Sequence, residues 1–228
     1  MLAVIELRKV TRSKTTRGKL VSSTLEEKRF RPVEGADHVA FEAARAMNPT
    51  RPSELILPEI NAEDAEEDVS NSTGIRVHLY GMMTWGSLYN VRQLVLLNTL
   101  VELARDVRTR LEAEHLDPEY RAAVLDFIGL WVSRMAMFQT TVGRWLSDLQ
   151  AVTHPFNRAA ISMVWDYPEP NPFADSSGGG LSQLDWMMRF IRRESGVPIP
   201  ARVTRGDSAH MRLADHSVDL VVTDPPYF

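Results

Sequence analysis

The amino-acid sequence predicts an α/β protein whose middle is mostly helical and whose sheet is incomplete. Two stretches, residues 91–111 and 124–138, carry apolar side chains at helical spacing. A third stretch, residues 218–222, is apolar and rich in β-branched residues, which is typical of a short strand buried on both faces. The helices therefore occupy the centre of the chain, and a strand is expected near residue 220.

Composition limits the possible functions. The chain has 228 residues, of which 44% are hydrophobic, so it can bury a core. Its formal net charge of -4 excludes coating of nucleic acid by bulk positive charge, and any such contact would need local basic patches. The absence of cysteine excludes disulfides, thiolate metal sites and a cysteine nucleophile. No apolar run approaches the length of a membrane span, so we expect no membrane partner and a cytoplasmic location.

The first region, residues 1–74, is predicted to contain a small hairpin in which residues 2–10 pair with residues 28–33. A basic cluster lies within it: Arg8, Lys9, Arg12, Lys14, Arg17 and Lys19. The cluster could follow a phosphate backbone, but a solvated hairpin loop is the interpretation that we favour. Asp37 is expected to cap a short helix that ends at Asn48-Pro49. From there to about Thr73, two prolines and an acidic run predict an extended, exposed connector and no packed structure; these residues are Pro52, Pro58, Glu63, Asp64, Glu66, Glu67 and Asp68.

The second region, residues 75–196, is predicted to be helical. A segment dense in aromatic residues and glycine, 77–94, leads into a helix that runs to about Glu114. A second helix begins at Asp117-Pro118 and runs toward Thr140, and residues 143–145 continue or restart it. Its Trp and Met stripe is interpreted as core rather than as a cofactor site.

The glycine run at residues 176–180 does not fit a phosphate-binding loop. Such a loop follows a strand, whereas this one follows Asn171-Pro172-Phe173 and precedes a helix over residues 184–194. We therefore predict a flexible hinge.

The third region, residues 197–228, is predicted to start a sheet. Residues 201–205 form a short strand, Gly206-Asp207-Ser208 turns the chain, and the apolar strand 218–222 follows. Pro225 and Pro226 end that strand, because proline fixes φ and lacks an N–H donor. In open α/β sheets the carboxyl ends of the strands are where ligands bind.

The tetrapeptide Asp224-Pro225-Pro226-Tyr227 resembles the D-P-P-Y signature of S-adenosylmethionine-dependent amino-methyltransferases, which methylate the exocyclic nitrogen of a nucleic-acid base. The resemblance implies that the Asp224 carboxylate and the Pro225 carbonyl accept the two hydrogens of that amine. It also implies that Tyr227 stacks on a base flipped out of its duplex, with Pro226 completing the catalytic loop.

The same resemblance implies that S-adenosylmethionine lies across the carboxyl ends of adjacent strands. Asp207 matches the acidic residue that bonds the adenine amine of this methyl donor, and Ser208 stands beside it in the turn. A carboxylate after a strand is common in any α/β protein, so a purely structural role for Asp207 stays open.

Three separated blocks are similar to bacterial adenine-specific DNA methylases of the large type that carries a Zn-ribbon. The blocks are residues 80–86 with 92–94, residues 164–167 through 171–173, and residues 215–227. This similarity implies a Rossmann-like methyltransferase fold with a helical insertion, and DNA as the partner.

The chain departs from that family in lacking a glycine-rich donor-binding loop and the cysteines of the Zn-ribbon. We therefore expect a central fragment of an N6-adenine DNA methyltransferase, inactive alone, whose partner is the remaining part of a truncated or split methylase. A methyltransferase acting on N4 of cytosine in DNA or N2 of guanine in RNA is an alternative. A non-catalytic helical module that binds or targets DNA is another.

Overall fold

The computed structural model describes residues 4–16, 19–56, 74–156, 160–196, 201, 203–211 and 213–224. The elements are β1 (Val4–Thr16), β2 (Lys19–Arg31), α1 (Gly35–Ala46), α2 (Val91–Ala113), α3 (Pro118–Phe138), β3 (Arg144–Leu146), β4 (Ala151–Thr153) and α4 (Gly180–Glu194). Short 3₁₀ helices span Val77–Tyr80, Trp85–Leu88 and Ser208–His210. In these residues the strands form two antiparallel two-stranded sheets. The chain is thus a mixture of helix and small sheets with a mostly helical middle.

The predicted N-terminal hairpin is present, and its strands are longer than expected. β1 and β2 pair from Val4 opposite Arg31 to Thr16 opposite Lys19. The described residues of the stretch predicted as a polar connection therefore lie in strands, since its threonines and Val21 favour extended backbone. The register also sets members of the basic cluster opposite acidic residues, with Arg8 facing Glu27 across the ladder. The cluster lies on paired strands instead of in a loop, apart from Arg17, which is outside the described residues.

Helix α1 starts two residues before Asp37, so Asp37 is not the N-cap as predicted. Glu34 is the N-cap residue, and its backbone N–H donates a 2.9 Å hydrogen bond to the Asp37 carboxylate. Arg31, at the end of β2, donates two hydrogen bonds to the same carboxylate, from Nη1 to Oδ2 at 2.8 Å and from Nη2 to Oδ1 at 3.1 Å. Asp37 therefore fixes the hairpin to the start of α1. The helix ends just before Asn48-Pro49, as predicted.

Helices α2 and α3 each begin with a side-chain cap, and α3 begins at the Asp117-Pro118 position that the sequence predicts. Asn90 and Gln93 form a reciprocal capping box at the start of α2, each side chain bonding the other's backbone N–H. Asp117 caps α3 by accepting a 2.9 Å hydrogen bond from the Tyr120 N–H, with Pro118 in the first turn. α2 and α3 pack against each other, α1 packs on α2, and α4 packs on α3. Of the α3 stripe predicted to be core, Met135 and Phe138 are buried, and Trp131 is half-buried.

The prediction that residues 143–145 continue α3 is wrong. After α3 ends at Phe138, the Thr141 N–H and both the Thr140 and Thr141 hydroxyls donate to the Leu88 carbonyl, at 2.8, 2.8 and 2.9 Å. These bonds hold the chain against the second 3₁₀ helix and prevent further helical turns. The chain then forms β3, which pairs with β4.

A small core forms where four separate segments meet. Its buried side chains are Ile56, Val77, Leu88, Val142 and Ile161. The Leu55–Thr84 and Ile75–Ile161 bridges hold the contributing segments together. The segment dense in aromatics and glycine, residues 77–94, thus supplies two of the core residues, Val77 and Leu88, and the other three come from separate loops that pack with it.

The prediction of a flexible hinge at residues 176–180 is also wrong. Residues 178–180 are buried, and a Cβ on Gly179 would overlap the Ala174 carbonyl. The Gly180 carbonyl accepts a 2.9 Å hydrogen bond from the Trp131 indole N–H of α3. The glycines therefore allow a close approach of backbone to backbone, and α4 begins at Gly180 instead of residue 184.

The two predicted strands near the end of the described chain are not formed. The described residues of 201–205 and of 218–222 lie outside any strand, and Leu220 and Val222 are 77% and 85% exposed. β-branched residues favour extended backbone, but a strand needs a neighbouring strand to take up its N–H and C=O groups. The described residues supply no such neighbour here.

The connector predicted from the end of the first helix to about Thr73 is wrong in its described part: residues 50–55 are exposed, but Leu55 forms a bridge with Thr84 and Ile56 is buried in the small core. Packing against the segment around Thr84 holds this stretch in place. Residues 57–73 lie outside the described residues.

In the part of the chain that the structure describes, no helix combines the length and the apolar character needed to cross a membrane.

Candidate functional site

Of the predicted catalytic loop, residues 224–227, the structure describes only Asp224. Asp224 holds an exposed position, whereas Pro225, Pro226 and Tyr227 lie outside the described residues. The acceptor roles of Asp224 and Pro225, and the stacking role of Tyr227, therefore stay predictions.

The predicted donor-binding residue Asp207 caps the short helix Ser208–His210. Its Oδ1 accepts a 2.9 Å hydrogen bond from the Ala209 N–H, and its Oδ2 lies 3.0 Å from the His210 Nδ1. The hydrogen bond with His210, and then that from the Ala209 N–H, lower the pKa of the Asp207 carboxyl from its ordinary value. Asp207 is thus a fixed anion at an exposed turn. Ser208 occupies the first position of that helix.

The first and second blocks of the family resemblance meet in space. The rings of Tyr80 and Trp165 stand edge to face, with centroids 5.6 Å apart and planes at 85°. Tyr80 is the last residue of the short helix Val77–Tyr80. The next residue, Gly81, ends the helix in the left-handed region, with a φ of 80°. Both rings remain more than half exposed. The pair therefore forms a fixed aromatic surface that is open to solvent.

A polar network also joins the same two segments. Arg92 Nη2 lies 2.6 Å from Glu169 Oε2, and both side chains are about three-quarters buried. Asn90 Nδ2 donates to the Tyr167 hydroxyl at 3.0 Å and to the Glu169 carboxylate. Glu169 thus sits at the N-terminal end of α2, where a negative charge is favoured by the helix dipole.

Several aromatic residues of these two segments are exposed to solvent. They are Tyr80, Trp85, Trp165, Tyr167 and Phe173. Exposed rings held in place by a packed framework can stack on nucleic-acid bases, since every base has a π face. Exposed rings of this kind can therefore contact flat, unsaturated ligands.

Sequence reasoning missed three residues that organise this region: Asn90, Glu169 and Arg51. The Asn90-x-x-Gln93 spacing is a readable signal for a helix start. Arg51 donates from Nη1 to the carbonyls of Gly86 and Tyr89, at 2.6 and 3.1 Å. Because the partners of Glu169 and Arg51 lie more than 30 positions away, no local pattern reveals them. Burial raises the pKa of the neighbouring Tyr89 hydroxyl.

Among the described residues, no group of three or more His, Asp or Glu side chains could hold a metal ion. Comparison with models of known protein families, with curated proteins and with solved structures finds no match.

Proposed function

We propose that this chain is part of a DNA methyltransferase that transfers a methyl group from S-adenosylmethionine to the N6 amine of adenine. The observation that carries the proposal is the sequence Asp224-Pro225-Pro226-Tyr227. In this role Asp224 and the Pro225 carbonyl accept the two amine hydrogens, which raises the electron density of the nitrogen. The exposure of Asp224 supports the proposal, because an extruded base needs access to that carboxylate.

The packing of the resembling blocks also supports the proposal. The first block, residues 80–86 with 92–94, and the second, residues 164–167 through 171–173, resemble the same family. The two segments contact each other through Tyr80 and Trp165 and through Arg92 and Glu169. Segments that form one structural unit fit a shared role more readily than isolated matches do. Their exposed rings suit a nucleic-acid partner, since rings stack on bases.

In the same proposal, Asp207 binds the adenine amine of the methyl donor. An aspartate carboxyl is ionised at neutral pH, so it acts there only as a hydrogen-bond acceptor, which is what an amine donor requires. S-adenosylmethionine, when bound, supplies the electrophilic methyl group. Because the 228 residues contain no glycine-rich donor loop, the proposal requires a second segment to complete the donor site.

The test measures donor binding by calorimetry and transfer of labelled methyl groups to DNA. We expect neither from this chain alone, and both when a polypeptide bearing a glycine-rich donor loop is added in cis or in trans. Orienting the two reactants is worth on the order of 7–11 kcal/mol, so an incomplete donor site loses most of the rate. Methyl transfer by the chain alone would overturn the fragment assignment.

The acceptor is identified in the same experiment by supplying three substrates. Label in N6-methyladenine supports the proposal, whereas label in N4-methylcytosine or in N2-methylguanine of RNA assigns one of the other amines. DNA binding without donor binding in the complemented protein would instead assign a targeting module.

A further inference from the structure

A cavity of about 520 Å³ opens between the C-terminal end of α1 and the start of α2. Its lining combines basic, amide and apolar side chains: Phe41, Arg45, Asn48, Pro49, Arg51 and Val91. Its volume falls within the range of cavities that hold small-molecule ligands, roughly 300–1,000 Å³. None of these residues belongs to the proposed catalytic loop or donor site.

Arg51 is held in one orientation at the wall of this cavity. Its Nη1 donates to the Gly86 and Tyr89 carbonyls, at 2.6 and 3.1 Å. Gly86 makes this possible, because a Cβ there would overlap Arg51 Cγ and the Pro52 carbonyl. No carboxylate in the described residues pairs with Arg51, so Nε and Nη2 keep donors in a fixed planar fork. Such a fork matches the oxygens of a phosphate group.

Arg45 supplies a second positive charge to the same cavity. Its one ion pair among the described residues is with Glu42, at 3.8 Å, and both side chains are more than 60% exposed. An exposed pair of that length is weak and screened by salt, so Arg45 can turn toward an anion at little cost.

Phe41 provides a flat apolar wall beside the two arginines. The Arg92 guanidinium lies over its ring, 5.2 Å from the centroid, and Arg92 is itself fixed by Glu169. The ring is therefore held from α2 while it lines the cavity. Asn48 adds an amide, which can both donate and accept hydrogen bonds at the edge of a base.

We propose that this cavity binds a phosphorylated nucleoside, with the phosphate on Arg51 and Arg45 and the base against Phe41. The nucleotide is either a free mononucleotide or one residue of a nucleic-acid strand, because both offer the same phosphate and the same flat ring. The site is independent of the methyl-transfer proposal.

The test is calorimetric titration of the full chain with adenosine 5′-monophosphate, adenosine and inorganic phosphate at low salt. Arg45→Gln removes a charge, and Arg51→Lys keeps the charge but loses the two-point fork. Arg108→Gln is the matched control, since Arg108 lies on α2 outside the cavity and pairs with exposed Glu112. Thermal unfolding followed by circular dichroism establishes that each variant is folded.

We expect the mononucleotide to bind, and Arg45→Gln and Arg51→Lys each to weaken binding about tenfold, the worth of one charge-assisted hydrogen bond. Arg108→Gln should leave binding unchanged. Equal losses in all three variants, or no binding of the mononucleotide by the unaltered chain, would overturn the proposal. Binding of adenosine or of phosphate as tightly as of the mononucleotide would overturn the assigned ligand class.

A single-stranded oligodeoxynucleotide separates the two sources of the nucleotide. Tighter binding of the strand than of the mononucleotide, lost in Arg45→Gln and Arg51→Lys, assigns a nucleic-acid strand. Strand binding that these variants leave intact, beside mononucleotide binding that they weaken, assigns the free nucleotide.

Discussion

Arg92, in the first turn of α2, and Glu169, in the loop before α4, form an ion pair of 2.6 Å although 77 positions separate them in the sequence, 169 minus 92. Glu169 also accepts from Asn90, and the Arg92 guanidinium lies over the Phe41 ring of α1. One carboxylate thus connects a long loop, the start of α2 and, through Arg92, the helix α1.

We predict that Glu169→Gln lowers the free energy of unfolding by about 1–3 kcal/mol, the usual worth of a partly buried hydrogen bond to a charged group. The amide still accepts from Asn90 but no longer neutralises Arg92. Urea denaturation measures the change. Glu112→Gln, which removes an exposed partner of Arg108, is the control and should change stability by less than about 1 kcal/mol. Equal effects of the two substitutions would contradict a special role for Glu169.

We predict opposite effects of alanine at two glycines. Gly179→Ala should destabilise the protein by about 1–3 kcal/mol, since its Cβ would overlap the Ala174 carbonyl and backbone must move. Gly129→Ala, in the middle of α3 with open space around the added methyl, should stabilise by about 0.5–1 kcal/mol. Thermal unfolding gives both values. A neutral Gly179→Ala would mean that residues 176–180 are not tightly packed.

We predict that Asp37 makes stability depend on pH in the acid range. The hydrogen bond from Arg31, then that from the Glu34 N–H, lower its pKa from 3.8 to about 2. Because the folded pKa is lower, the contribution is present above pH 3.8 and is lost as the pH falls through about 2.

Unfolding measured at several pH values checks this prediction. The Asp37→Asn variant should be less stable than the unaltered chain near neutral pH, and the two should converge as the pH approaches 2. Asp126→Asn, at an exposed position of α3, controls for the loss of one carboxylate. A difference between Asp37→Asn and the unaltered chain that stays constant down to pH 2 would rule out the lowered pKa.

We predict that Asp224→Ala abolishes methyl transfer in the complemented enzyme while leaving thermal stability nearly unchanged. The carboxylate is exposed in this chain, and its proposed bond to the amine strengthens in the transition state. Asp148→Ala, at an exposed position between β3 and β4, removes the same charge and should keep full activity. Activity retained in Asp224→Ala would remove the D-P-P-Y assignment.

The sequence alone determined the elements that depend on local interactions. Apolar residues at helical spacing specify α2 and α3, and Asp117 with Pro118 fixes the start of α3 within one turn. The hairpin of β1 and β2 also follows from nearby residues, because its strands are adjacent in the chain. Helices and hairpins satisfy their backbone hydrogen bonds within a short segment, so local patterns suffice to predict them.

Only the tertiary structure decided the features that depend on distant partners. Residues 218–222 have the composition of a strand and yet form none, because the described residues supply no neighbouring strand for them. The sequence predicts a hinge at the glycines 178–180, whereas in the fold the backbone of Gly179 packs closely against the Ala174 carbonyl. Arg51 and Glu169 gain their roles from groups more than 30 positions away. Strand pairing, close backbone contact and ion pairing each need a second segment, and its position follows from packing of the whole chain and not from any local pattern.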